Sequence, residues 1–271
     1  MENIHMLHES DRNFRKRTQN FSEWAGKTNR SLFVFNFNLD LAPLFQEEWS
    51  IELADQMTNL EHAHKLDRII LQNKTEPDKR VLIDLSECDS LLLAHERIID
   101  EMAQCTIPRF PTGKDLGCFY GDVCFGSIWS RFNMTLSVGS IGAEPLVEEQ
   151  LKEINQNLDK LIYSFPKNQK KPVGTQNLVD EPFPLKISFD QFQLKRGEKS
   201  ALKLIPSKEV DSFDFKKISG KIAALGGEIS RQGDRFYYHA KYKGIHNTQA
   251  ILIGKSYSRW IGKAEVQVSN S

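Results

Sequence analysis

Apolar residues recur along this chain with two periods, one suited to strands and one to helices. Ser31–Phe37 (SLFVFNF) alternates as a strand does, with Leu32, Val34 and Asn36 on one side and Phe33, Phe35 and Phe37 on the other. A long helix is expected next. Asp40 can cap it, Pro43 suits its first turn, and Trp49, Leu53, Met57, Leu60 and His64 recur at three- and four-residue steps, continued by Leu66, Ile69 and Ile70. Val81–Leu85 reads as a short buried strand. Ser90 can then cap a second helix, with Leu91, His95, Ile98, Met102 and Cys105 on one face. Thr106–Gly117 reads as a loop, and Cys118–Phe125 and Phe132–Val138 as strands. Val147, Leu151, Ile154, Leu158, Leu161, Ile162 and Phe165 form the most continuous helical stripe, opened by Glu148 and Glu149 where the helix dipole favours acids.

Residues 166–184 interrupt both periods with prolines and polar filler, which predicts a linker. Beyond it, Leu185–Phe189 and Ala201–Ile205 read as strands around a turn at Lys195–Lys199. A helix over 212–225 is expected from a cap at Asp211 or Ser212, the spacing of Phe215, Ile218, Ile222 and Leu225, and a stop at Gly226–Gly227. Glu228–Ser230 and Arg235–Lys243 then predict a hairpin about Gln232–Asp234. Ala250–Ile253, Tyr257–Ile261 and Ala264–Val268 predict further strands. The expected architecture is therefore an α+β or α/β domain over 1–165, a helix-covered mixed sheet, followed by a smaller antiparallel α+β domain over 185–271. No internal repeat is visible.

Charge adds an asymmetry to this picture. The chain of 271 residues is formally neutral, with 36 basic and 36 acidic side chains. Divided after Phe165, it carries about 17 basic against 26 acidic residues before the cut and about 19 against 10 after it. An acidic part joined to a basic part points to a charged partner for the basic part, or to docking between the two. The N-terminal segment has no apolar core of a secretory signal, and no run approaches the length of a membrane span. Cys88, Cys105, Cys118 and Cys124 are too few and too irregular for a disulfide framework. A cytoplasmic, soluble protein without a membrane partner is the expectation.

The chemistry concentrates in the second hairpin strand. Alternation sends Arg235, Tyr237, His239, Lys241 and Lys243 one way and Phe236, Tyr238, Ala240 and Tyr242 the other. One face suits a core; the other joins cations to an aromatic ring, the combination that binds phosphates and exposed bases. Arg231 and Arg259 are expected to assist Arg235, Tyr237, Lys241 and Lys243. No phosphate loop accompanies them: Gly26-Lys27-Thr28 and Gly254-Lys255-Ser256 lack the first glycine, which would fall at Phe21 and Gln249. His64 and His95 sit on apolar stripes and read as hydrogen-bonded core histidines. Neither a metal, a cofactor nor a catalytic constellation follows from the spacings.

Three readings result. The leading one is a non-enzymatic binding protein whose basic domain contacts nucleic acid. The second is an interaction or assembly subunit docking an acidic protein surface. The third is a metal-dependent hydrolase or nuclease with carboxylates about Asp84, joined by Asp89, Glu96 and Asp122. Whether the chain is an enzyme, and its oligomeric state, stay open at this level.

Overall fold

A computed structural model describes residues 16–21, 41–45, 47–60, 63–89, 91–104, 115–120, 126–164, 182–207, 219–233, 235–253 and 259–270. The Ser31–Phe37 segment, the Asp40 and Ser90 caps, Cys105, Asp122, Cys124, Phe165 at the end of the expected helical stripe, residues 166–181 of the expected linker and Asp211–Ile218 lie outside the described residues. In chain order the strands begin with β1 (Thr18–Phe21), β2 (Trp49–Leu60), β3 (Ala63–Asn73), β4 (Arg80–Cys88), β5 (Leu116–Tyr120), β6 (Gly126–Arg131) and β7 (Met134–Ser140). They continue with β8 (Phe183–Phe189), β9 (Gln193–Lys195), β10 (Lys199–Pro206), β11 (Ser219–Leu225), β12 (Gly227–Gln232), β13 (Arg235–Ala240), β14 (Gly244–Ile253) and β15 (Arg259–Ser269). The helices are α1 (Leu91–Gln104) and α2 (Glu148–Ser164), besides a single turn at Ala42–Phe45.

The chain divides into two compact units, one of Met1–Lys27, Ile99–Pro111 and Asp180–Ser271, the other of Thr28–Ile98 and Thr112–Val179. The second unit holds a six-stranded antiparallel sheet in the order β2-β3-β4-β7-β6-β5. Leu71, Val81, Ile83, Trp129, Leu136 and Val138 meet Leu151, Ile154, Leu158 and Ile162 of α2 in one core. Each such side chain removed from water contributes about 1.5–3 kcal/mol. Asn155 fixes the register of α2 on the sheet, because its Oδ1 accepts from Ser127 Oγ at 2.8 Å and from Trp129 Nε1 at 2.6 Å. Buried Arg131 adds a second clamp, giving Nε and Nη2 to Asp159 of α2 at 2.8 and 2.6 Å beneath the rings of Phe132 and Tyr163.

The first unit holds a nine-stranded sheet in the order β1-β11-β14-β15-β8-β10-β13-β12, with β9 alongside β15. Its ends return toward each other: Gln19 of β1 donates Nε2 to the Ile229 carbonyl of β12 at 3.4 Å, so the sheet curls into a nearly closed barrel. The interior is apolar, with Leu185, Ile187, Leu202, Ile222, Phe236 and Leu252 among its residues. Gly226 and Gly227 form the corner from β11 to β12. Gly226 has φ +87°, and a Cβ there would stand 1.6 Å from His246 Nδ1; a Cβ on Gly227 would stand 2.5 Å from the Tyr238 ring. His246, in turn, hydrogen-bonds the Tyr242 carbonyl through Nε2 at 2.7 Å, tying the β13–β14 loop to the same corner.

This architecture is mostly β, and it overturns the helix-covered α+β expectation. Residues expected in one long helix form the β2–β3 hairpin instead, apart from the turn at Ala42–Phe45. The reason is periodicity: a four-residue step is one helical turn, but it is also two strand repeats. Leu53 and Met57 therefore share a strand face, and a bulge between Ile51 and Leu53 moves Trp49 and Ile51 to the other. The helix expected over 212–225 is a strand from Ser219 onward, pairing with both β1 and β14. Its three- and four-step apolar pattern arises because β11 is buried on both faces. Strand β6 was not expected, and the two strands expected at 257–268 are the single strand β15. Gly262 does not break it; a Cβ there would come within 2.4 Å of the Leu185 carbonyl oxygen, so only glycine admits β8 at that distance.

Gly226→Ala is expected to lower stability by about 3 kcal/mol or more, from the left-handed backbone and the collision with His246, and a denaturant titration measures it. Tyr238→Phe is the contrasting case. The Tyr238 hydroxyl is buried with no hydrogen-bond partner among the described residues, and burial raises its pKa far above the ordinary phenol value. Removing it is expected to leave the midpoint unchanged or raise stability by up to about 1 kcal/mol.

Candidate functional site

Strand alternation places the cationic residues of the barrel on one outer surface. Phe236, Tyr238 and Ala240 of β13 point into the core, while Arg235 is exposed and Tyr237 and His239 are half-buried on the outside. The register then determines their neighbours. His239 stands opposite Glu228 of β12 and Lys199 of β10; Tyr237 stands opposite Ser230 and Ala201; Lys203 of β10 stands opposite Ser188 of β8. Lys186 of β8 lies beside Ile205 on the same side. The outer surface of β8, β10, β13 and β12 thus gathers exposed Lys186, Lys199, Lys203 and Arg235, with Lys241 just past the end of β13.

Local contacts shape this surface. Lys241 Nζ lies 3.2 Å from Glu228 Oε2, so one of the cations is paired. Lys199 Nζ sits 4.8 Å from the centre of the Tyr237 ring and covers part of it. His239 Nε2 and Ser230 Oγ share a hydrogen bond of 2.7 Å. The pKa of His239 is lowered, chiefly by burial; Glu228 opposes the shift, and Lys199 and Lys241 reinforce it. The imidazole is therefore neutral at pH 7, and the positive potential comes from lysine and arginine.

Of the residues singled out in the sequence, the structure brings together Arg235, Tyr237 and Lys241. Lys243 is exposed in the loop after β13, which ends at Ala240. Arg231 has the opposite strand parity: its guanidinium lies 5.5 Å from the Phe236 ring and its Nε donates to the Gly233 carbonyl at 2.7 Å. Arg259 is buried, at 2% exposure, and does not reach this surface. Lys186, Lys199 and Lys203 were missed. Their signal was the alternation of lysine with apolar residues in Lys186–Phe189 and Lys199–Ile205, which becomes meaningful only once β10 is known to lie against β13.

In the sheet unit, Asp84 receives two hydrogen bonds from Arg68, both 2.7 Å. This bidentate pair raises the Arg68 pKa, first through the hydrogen bonds and then through the charge of Asp84. His64 is not a core residue; it is 38% exposed, with Nε2 at 3.1 Å from Glu87 and Nδ1 at 3.3 Å from Asp89. His95 is buried, with Nδ1 at 3.3 Å from Ser130 Oγ. Cys88 and Cys118 are buried thiols. Among the described residues no group of three or more His, Cys, Asp or Glu is placed to hold a metal ion, and no helix is long and apolar enough to cross a membrane.

No family model and no curated protein matches the sequence. Among solved structures, a polysaccharide lyase aligns with 83% of this chain and 34% of its own length at 8% identity, with a TM-score of 0.24. That score is too low to carry an argument about fold or function.

His239 and His246 both have lowered pKa values, burial being the first cause in each. The unfolded chain therefore binds their protons more readily. Their contribution to stability is full above about pH 6.5, the ordinary histidine value, and is lost as the pH falls through the lowered folded-state values. Melting temperatures measured from pH 7.5 to 5 are expected to fall, and His239→Asn is expected to remove part of that fall.

Proposed function

We propose that this chain is a non-enzymatic binding protein whose barrel contacts nucleic acid through the outer surface of β8, β10, β13 and β12. The observation that carries the reading is the gathering of Lys186, Lys199, Lys203 and Arg235 on one exposed sheet surface. Among the described residues no carboxylate pairs with any of these four. Adjacent strands lie about 4.8 Å apart, so the cations are spread across the sheet rather than along one strand. A phosphate backbone crossing the strands meets several of them and releases its condensed counterions. Tyr237 lies among them as a base-contacting ring once Lys199 moves onto a phosphate.

One observation favours a second reading. Lys199 covers the Tyr237 ring, so in this conformation the surface offers charge without an open stacking platform. A purely electrostatic partner, an acidic protein surface, needs nothing more.

Anisotropy of labelled single- and double-stranded DNA and RNA with the full chain, at two salt concentrations, tests the proposal. Binding is expected to weaken steeply with salt. Lys203→Ala combined with Arg235→Ala is expected to reduce the slope of log K against log salt by about 1.5, the value for two lost phosphate contacts. Absence of binding to all four at low salt rejects nucleic acid and leaves the acidic-protein reading.

A further inference from the structure

The geometry points to a second binding site, in the sheet unit: the free edge of β2 with the acidic pocket at its first residue, docking an extended peptide segment that carries lysine or arginine. Strand β2 is twelve residues long and ends the sheet order, with β3 as its one strand neighbour among the described residues. Seven successive residues, Ser50–Gln56, are exposed, including Ile51 at 44% and Leu53 at 42%. A strand in this position presents unpaired backbone donors and acceptors together with side chains on both faces. Proteins usually blunt such an edge with lysine or proline. β2 has neither; its charges are Asp55 and Glu52, the latter 3.2 Å from Arg80 Nε, and a bulge lies beside Ile51.

Where β2 begins, a pocket of about 300 Å³ lies between the Ala42–Phe45 turn and α2. Phe45, Trp49 and Ile154 supply apolar walls, and Glu47, Glu48 and Glu153 supply carboxylates. Asn73 Nδ2 donates to Glu48 Oε1 at 3.3 Å and helps to fix its position. This combination fits a side chain with an aliphatic stem and a cationic head. Backbone pairing along β2 would give such a segment its affinity, and the pocket its choice of side chain. The charges select the occupant. A second copy pairing β2 with β2 would bring Glu52 and Asp55 of both chains together, whereas a basic segment meets Asp55 on the strand and Glu47, Glu48 and Glu153 where the strand begins.

The test uses the full chain and a fluorescein-labelled decapeptide of alternating lysine and threonine, compared with the same peptide N-methylated at alternate amides and with a glutamate–threonine version. The unmodified peptide is expected to bind, and both controls to lose binding. Glu47→Gln, Glu48→Gln and Glu153→Gln together are expected to weaken binding about tenfold, while Glu265→Gln, an exposed carboxylate of the barrel unit, is expected to change nothing. Equal binding of the N-methylated peptide overturns strand addition. Unchanged affinity in the triple variant overturns the pocket. A dimer in light scattering that the peptide does not dissociate assigns the edge to a second copy and overturns the proposal.

Discussion

The corner at Gly226 and Gly227 is the constraint on which the barrel depends. Two residues turn the chain from β11 into β12 while His246 and Tyr238 press against them from neighbouring strands. No side chain larger than hydrogen fits there, and the left-handed backbone at Gly226 is one that glycine adopts without penalty. The corner sets the direction of β12, and β12 sets the register of β13, because all six of its residues pair with that strand. The cationic surface is a downstream result: with β13 turned by one residue, Arg235 and Tyr237 would enter the core and Phe236 and Tyr238 would face water.

Much of the barrel's second half was legible in the sequence for the same reason. Phe236, Tyr238 and Ala240 alternate strictly with polar residues, and Gln232-Gly233 announces a turn, so β12 and β13 were readable as a hairpin. Helices α1 and α2 were legible from stripes at His95, Ile98 and Met102 and at Leu151, Ile154 and Leu158. Sequence reasoning failed where a strand is buried on both faces or on neither. In β11 the unbroken run Ile222–Leu225 has no strand period, and in β2 exposure removes the pressure that would otherwise impose one. The glycines misled in both directions. Gly226–Gly227 resembles a helix stop but is a corner, and Gly262 resembles a break but is a point of close approach between strands.

The candidate surface was legible only along one strand. Arg235, Tyr237 and Lys241 could be grouped by alternation, but Lys186, Lys199 and Lys203 join them through pairings with distant segments. Arg259 shows the opposite limit. Its sequence surroundings resemble those of a surface cation, yet β15 is a central strand with β14 on one side and β8 and β9 on the other. Membership of a binding surface is a property of the sheet order, which local patterns do not contain.

The sheet order also governs the sequence of events during folding. Thr18 of β1 pairs with Ala223 of β11, so all of the second unit is synthesised between the two partners. The sheet of that unit joins two meanders, β2–β4 and β5–β7, through the β4–β7 pairing and pairs with no later strand among the described residues. The barrel closes β1 on β11 across the whole of that unit and so has the higher contact order. Its closing strand β1 must wait until β11 emerges, and until then it lacks the strand it pairs with. The barrel is therefore the slow unit, and its unclosed seam is the place where a nascent chain would meet a chaperone or another copy of itself.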